Sequence, residues 1–190
     1  MLATVMEVTH YPGSMHTAPV AHSRPWPLPA LLAASLLAAC GHAPVKRAPP
    51  VPPMHAWPQV TPANPAAAAA VLMRALGLVG TPYRYGGNTP ESGFDCSGLV
   101  NYVYRDMLAL NLPRTSKELA ALQGPRIDPA HLATGDLVFF GSNGNVTHVG
   151  IYVGEGRFVH APSTGGTVRL DYLDGPYWRD HYTGAKRVLH

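Results

Sequence analysis

Cysteine and charge are both scarce in this chain of 190 residues, and each shortage excludes a class of protein. The two cysteines, Cys40 and Cys96, cannot form a disulfide framework, a four-cysteine zinc site or the ligand set of an iron–sulfur cluster. They leave one possible disulfide or two separate roles. Charged residues make up 13%, and a formal net charge of +3 is too small to indicate a nucleic acid as partner. A hydrophobic fraction of 46% argues against disorder throughout, so the length predicts one domain or a domain with an appendage.

Hydrophobic runs long enough to span a membrane are also missing. The apolar run 28–39 has 12 residues, short of the roughly 20 that a helix needs to cross a bilayer, and it fits the core of a signal peptide. Small residues directly before Cys40, with Gly41 after it, resemble the lipobox of bacterial lipoproteins. The resemblance implies that Cys40 becomes the first mature residue and carries a diacylglyceryl group and usually an N-acyl chain. The alternatives are a chance cysteine after an ordinary secretory core, or a buried helix.

The chain divides into three parts by composition. Residues 1–39 are interpreted as the lipoprotein signal peptide, with Met15 as an alternative start, and 40–65 as the lipidated cysteine and a tether. Eight prolines between residues 43 and 65 favour an extended, semi-rigid segment that would reach on the order of 70 Å. A proline-rich ligand for a partner domain is the alternative reading of that segment. Residues 66–190 are enough for a single folded domain.

Three helices are predicted in the first half of the domain. Strong helix formers after Pro65 predict a helix over 66–80. Apolar residues at helical spacing predict a second helix that begins at or near Cys96, with Asp95 as its cap. A short third helix follows Pro113, capped by a hydroxyl side chain.

The second half of the domain changes to short β-prone runs separated by glycine-containing turns. These runs cover residues 137–140, 146–153, 157–160 and 167–170. Helices followed by a run of strands predict an α+β domain in which the helices pack against one antiparallel sheet.

One cysteine and two histidines are candidates for nucleophilic catalysis. The start of a helix and a neighbouring histidine can both lower the pKa of Cys96 and favour its thiolate. His148 would project from a strand that a helix can pack against, and His160, on the next strand, could orient it. The alternatives are a buried structural cysteine with structural histidines, or a zinc site built from the three residues.

The sequence motifs around these residues are more specific for a protein family than the three residues alone. GTPYRYGG, FDCSGLV, LPRTSKEL, THVGIYVG and FVHAPSTGG, in this order, resemble the NlpC family of bacterial cell-wall cysteine peptidases. The resemblance extends from about Leu72 to the end of the chain. It implies a papain-like α+β fold with a Cys-His dyad and a third polar residue, matched here by Cys96, His148 and His160. It also implies that Tyr83 helps to bind the oxyanion together with the N–H of Cys96.

The same resemblance suggests a substrate and its contacts. Asp95 and Ser97 match residues that line the substrate cleft, and Arg114 matches a recurrent arginine that is structural or cleft-forming. The implied substrates are peptidoglycan stem peptides, cut at the D-γ-glutamyl–diaminopimelate bond or at the D-Ala–diaminopimelate cross-link. No metal or other cofactor is implied.

The resemblance also bears on location and leaves rival functions open. Gly41 stands where the inner-membrane retention signal of lipoproteins has Asp, so we expect an outer-membrane lipoprotein that faces the periplasm of a Gram-negative cell. A non-catalytic wall-binding lipoprotein is one rival function. An amidase or acyltransferase on the same fold is the other.

Overall fold

The computed structural model describes residues 56–163 and 166–190. The predicted signal peptide, Cys40 and the first part of the predicted tether lie outside the described residues. Within the described ranges, every helix is too short or too polar to cross a bilayer.

Four α-helices are present in the described part of the chain. They are α1 (Pro65–Gly77), α2 (Cys96–Leu108), α3 (Ser116–Ala120) and α4 (Pro176–His181). The three predicted helices are confirmed as α1, α2 and α3. The third has a capping box, in which Thr115 and Glu118 each bond the other's backbone N–H. The sequence analysis missed α4, which has only six residues and no side-chain cap.

The strands form a two-stranded ribbon and a five-stranded antiparallel sheet. The ribbon consists of β1 (Asn88–Thr89) and β2 (Gly93–Phe94). The sheet has the order β6-β5-β4-β3-β7, built from β3 (Leu137–Ser142), β4 (Asn145–Gly154), β5 (Arg157–His160), β6 (Arg169–Tyr172) and β7 (Tyr182–Lys186). Four of these were predicted, although β6 begins two residues later than expected. The edge strand β7 was not predicted, because its sequence YTGAK has no β-prone run.

Side chains of the sheet alternate between two apolar layers, so the α+β prediction is confirmed and extended. Leu137 and Phe139 face the layer that contains α1 and α2, as predicted. Val138 and Phe140 face a second apolar layer on the opposite side. Residues before α1, in the loop before β3 and near the C-terminus cover this second layer, among them Trp57, Ile127, Leu132, Trp178 and Tyr182.

The packed part of the chain begins before residue 66. Trp57 lies in the second layer with its ring centroid 6.4 Å from that of Tyr152. A Cβ at Gly156 would overlap the indole, so the glycine is needed for this close approach. Val60 pairs with Ala133 in a parallel bridge. The last residues of the predicted tether are therefore part of the folded domain.

Candidate active site

Cys96 is the first residue of α2, as the sequence predicts. The side chain of Asp95 caps the helix by accepting a hydrogen bond of 2.7 Å from the Gly98 N–H. The N–H of Cys96 lies in the first turn, where backbone donors have no partner within the helix. The thiol is thus placed at the positive end of the helix, beside N–H groups that can bind an anion.

Glycines bring the loop that carries Tyr83 against this end of α2. The Asp95 N–H donates to the carbonyl oxygen of Gly87 at 3.1 Å. A Cβ at Gly98 would overlap that same carbonyl group, and one at Gly87 would overlap the carbonyl group of Gly93. Close packing between backbone segments therefore requires the glycines Gly87 and Gly98 of the GG and CSG motifs.

Tyr83 is held in this loop by its own backbone. Its N–H donates to the carbonyl oxygen of Gly166 at 2.8 Å, and its side chain packs against the core below α2. Partial burial raises the pKa of Tyr83, and negative charge on Cys96 and Asp95 raises it further. The phenol therefore stays protonated as a hydrogen-bond donor close to the thiol, and its oxyanion role remains a prediction.

Asp95, Ser97 and Arg114 form one hydrogen-bond network. Arg114 donates to both carboxylate oxygens of Asp95, at 2.9 and 2.8 Å, and to the Ser97 hydroxyl at 2.8 Å. Burial alone would raise the pKa of Asp95, but its bonds from Arg114, Gly98 and Gly86 hold that pKa below its ordinary value. The structure thus gives these three residues a positioning role at the start of α2, and their predicted contact with substrate remains a prediction.

The Cys96 thiol lies against β4 at the residue that follows His148. Burial raises the pKa of Cys96, and the charge of Asp95 adds to this effect. The backbone N–H groups of Val149, Ser97 and Cys96 oppose the rise, since each can donate to the sulfur. The net direction of the Cys96 pKa is upward, contrary to the lowered pKa that the sequence analysis expects, because the effect of burial exceeds that of the N–H groups. A base is therefore required to take the proton when the thiol reacts.

The two predicted histidines lie together. Nε2 of His148 and Nδ1 of His160 are 2.9 Å apart, across the antiparallel strands β4 and β5. Burial lowers the pKa of His148 to about 3 and that of His160 to about 4. Both rings are therefore neutral at physiological pH, and His148 is available to accept a proton.

Two further residues of the site were missed by the sequence analysis. Asp171 on β6 lies with Oδ2 3.0 Å from Nε2 of His160, and Trp178 on α4 stacks on His148 with ring centroids 5.3 Å apart. The β6 register pairs His160 with Arg169, so strand alternation places Arg169 and Asp171 on the same face. An acidic residue in the strand after His160 was the available signal, but an isolated Asp in a short β-run is not distinctive.

A cavity of about 290 Å³ adjoins the histidine side of the site. It is lined by His148 and Trp178 together with residues of β3, β4 and α4, namely Phe140, Gly141, Ser142, Thr147, Tyr177 and His181, and by Pro162. Its mixture of aromatic and polar groups suits a peptide with polar substituents. Within residues 56–163 and 166–190, no three His, Cys, Asp or Glu side chains are grouped as metal ligands.

The chain is similar to known proteins in both sequence and fold. Residues 80–187 match the NlpC/P60 family. Murein DD-endopeptidase MepH of Escherichia coli (strain K12) is 43% identical over 126 residues, covering 65% of this chain and 46% of that protein. The probable endopeptidase NlpC of the same strain is 47% identical over 111 residues, covering 57% of this chain and 70% of that protein. The chain thus spans about half the length of MepH.

Solved structures agree on the fold. An NlpC/P60 family protein from Bacillus cereus ATCC 10987 has a TM-score of 0.61 at 32% identity, covering 65% of this chain and 40% of that one. The NlpC/p60 domain of the peptidoglycan hydrolase SagA has a TM-score of 0.56 at 33% identity, covering 64% of this chain and 98% of that one. The predicted papain-like α+β fold is confirmed, and the chain belongs to the NlpC/P60 family.

Proposed function

We propose that the protein is a peptidoglycan endopeptidase that hydrolyses stem-peptide amide bonds through a thioester on Cys96. One observation carries this proposal: a cysteine at a helix N-terminus lies against the strand residue next to a half-buried, neutral histidine. A structural cysteine requires neither a neighbouring base nor a helix N-terminus beside it. The names of the similar curated proteins support the substrate class.

The proposed reaction proceeds in two acyl transfers. His148 takes the thiol proton as the sulfur of Cys96 attacks the amide carbon, which becomes a tetrahedral oxyanion. Collapse of this intermediate breaks the C–N bond, and His148 returns the proton to the leaving amine. Water then attacks the thioester, again with His148 as base, and releases the carboxylic acid and the free thiol.

The oxyanion needs hydrogen-bond donors in place before the reaction. The Cys96 N–H at the start of α2 and the protonated phenol of Tyr83 are the donors that we assign to it. Such preorganised donors act strongly because they need no reorientation during the reaction.

The D-Ala–diaminopimelate cross-link is the bond that we favour. The names of MepH and of MepS from Escherichia coli (strain K12), which is 41% identical over 110 residues, both specify a murein DD-endopeptidase. The D-γ-glutamyl–diaminopimelate bond is the alternative, since the similar Bacillus subtilis (strain 168) protein CwlT is named a DL-endopeptidase.

Mass spectrometry of purified muropeptides tests the activity and the bond together. Monomeric and cross-linked muropeptides are incubated with the full chain, with Cys96→Ala and with Cys40→Ala as the matched control at the other cysteine. We expect cleavage by the wild type and by Cys40→Ala, none by Cys96→Ala, and unchanged thermal melting of Cys96→Ala. Conversion of the cross-linked dimer to monomers identifies the DD bond, whereas a shortened stem peptide identifies the γ-glutamyl bond.

Three outcomes would contradict the proposal. Equal cleavage by Cys96→Ala would exclude the cysteine mechanism. Intact muropeptides after incubation with folded, reduced wild type would favour a wall-binding lipoprotein, and a lost stem peptide would identify an amidase.

We propose in addition that Cys40 is lipidated and anchors the protein in the outer membrane, facing the periplasm. The lipobox-like sequence before Cys40 and the absence of Asp at position 41 support this. Mass spectrometry of the mature N-terminus and membrane fractionation of the wild type and Cys40→Ser test it. An unmodified cysteine, or wild-type protein in the soluble periplasmic fraction, would contradict it.

A further inference from the structure

One carboxylate oxygen of Asp171 lies at the end of the histidine pair, within hydrogen-bond distance of nitrogen atoms from three residues. Oδ2 of Asp171 lies 2.8 Å from Nε1 of Trp178, 2.9 Å from a terminal guanidinium nitrogen of Arg169 and 3.0 Å from Nε2 of His160. The tryptophan and arginine nitrogens can only donate. Although partial burial has the opposite effect, the bonds from Arg169 and Trp178 hold the pKa of Asp171 below its ordinary value, so the oxygen is a charged acceptor.

This acceptor determines where His160 carries its proton. His160 is fully buried and neutral, so only one of its ring nitrogens bears a hydrogen. Because Oδ2 of Asp171 can only accept, that hydrogen is on Nε2. Nδ1 of His160 then carries a lone pair and acts as a hydrogen-bond acceptor.

The same reasoning applies to the next ring. Nδ1 of His160 accepts, so Nε2 of His148, 2.9 Å away, must donate. His148 is neutral, and its lone pair therefore lies on Nδ1. We propose that Asp171 is a positioning residue that sets the tautomers of both histidines and leaves Nδ1 of His148 as the base for Cys96. This inference rests on the proposed cysteine mechanism and deepens it.

Surrounding groups hold the chain of bonds in place. Trp178 donates to Asp171 and stacks on His148 at an interplanar angle of 29°, so one side chain restrains both ends of the chain. The charged groups facing this chain are Asp171 and Arg169, and Asp171 favours the protonated form of both histidines. When His148 takes the thiol proton, no proton needs to move to Asp171, because both Nε2 hydrogens stay where they are.

Histidine nitrogen NMR on the full chain tests the tautomers directly. In the wild type we expect both His148 and His160 to be protonated at Nε2. Asp171→Ala removes the acceptor, so the tautomers in which both rings are protonated at Nδ1 become populated. Asp171→Asn keeps an amide oxygen that Arg169 and Trp178 orient toward His160, and it should preserve the wild-type tautomers. Protonation of wild-type His148 at Nδ1 would overturn the inference without any variant.

Two kinetic readouts accompany the spectra. These are the alkylation rate of Cys96 by iodoacetamide, which needs no peptidoglycan, and kcat on muropeptides. We expect Asp171→Ala to lower both by about 100-fold or more with little change in KM, and Asp171→Asn to stay within about 10-fold of the wild type. Asp106→Ala, which removes a half-exposed ion pair with Arg74 outside the site, is the matched control and should change neither.

The outcomes separate this inference from the proposed function. An Asp171→Asn variant as slow as Asp171→Ala, despite wild-type tautomers, would show that charge rather than tautomer matters and would overturn the inference. Expected tautomers and alkylation rates without cleavage of muropeptides would uphold the inference while contradicting the proposed substrate.

Discussion

At the scale of single residues, burial keeps the Cys96 thiol and the His148 imidazole uncharged before reaction. Burial raises the pKa of Cys96 and lowers that of His148, so at physiological pH both the thiol and the imidazole are uncharged. In the proposed mechanism, charges appear only when the proton moves from Cys96 to His148 during attack. The helix N-terminus near the sulfur then stabilises the negative charge that develops there.

Tyr83→Phe should lower kcat by roughly 100-fold, because removal of one oxyanion donor costs about 3 kcal/mol in barrier height. The phenyl ring of the variant still packs against the core, so the melting temperature should change little. Tyr85→Phe is the matched control, since the Tyr85 side chain is 88% exposed two residues away. Steady-state kinetics on muropeptides measures the effect, and a wild-type kcat in Tyr83→Phe would exclude its role in oxyanion binding.

At the scale of elements, the N-terminus of α2 is located by close backbone packing as much as by its cap. The loop that carries Tyr83 approaches the helix at Gly87 and Gly98, where neither residue has room for a Cβ. The Asp95 and Arg114 side chains then tie the helix start to this loop and to the segment before α3. The nucleophile and the predicted oxyanion donor are thus set relative to each other by one packing contact.

Gly98→Ala should therefore lower both stability and activity. The added methyl group overlaps the Gly87 carbonyl, and moving the loop away should cost about 1–3 kcal/mol of unfolding free energy. The proportional loss in kcat should be larger than the proportional loss in stability. Gly77→Ala is the matched control, since Gly77 ends α1 with open space around it and should be neutral or slightly stabilising. Chemical denaturation measures both changes, and a Gly98→Ala protein as stable as Gly77→Ala would contradict this account.

At the scale of the whole molecule, the second apolar layer is what buries the histidines. His160 lies among Phe158 and Trp178 on the sheet face that α1 and α2 do not cover. Trp57 before α1, the loop before β3 and the C-terminal α4 together cover that face. Distant parts of the chain therefore create the environment that keeps the proposed base, His148, neutral.

This burial predicts a loss of stability in mild acid. A histidine whose pKa is lowered from 6.5 to about 3 or 4 binds its proton only in the unfolded state at intermediate pH, so stability falls as pH drops below 6.5. At about pH 5 the loss should be about 2 kcal/mol for each buried ring. The lowered pKa values of Asp95 and Asp171 act only at more acidic pH, since their stabilisation is lost below the ordinary value of 3.8.

Denaturation curves between neutral pH and about pH 5 measure this loss. His160→Gln should show a shallower dependence of unfolding free energy on pH, because one buried titrating ring is gone. An equally steep dependence in that variant would place the effect elsewhere in the protein.

Local residue patterns were sufficient for three of the four helices in the described residues and for four strands. They also placed Cys96 at the start of α2 and the two histidines on neighbouring strands, whereas the catalytic roles of these residues stay predictions. Periodicity locates α2, and its start at Cys96 follows from the neighbouring capping residue, because both signals act within a few residues of the chain. The predictions for Cys40, the anchor and the location lie outside the described residues and stay predictions.

Asp171, Trp178 and the cover formed by Trp57 became visible only in the folded chain. Each acts through contacts between residues far apart in sequence: β6 must pair with β5 before Asp171 meets His160, and α4 must pack on the sheet before Trp178 stacks on His148. Strand register and the burial of a face depend on the whole set of packed elements, so no local pattern of residues contains them.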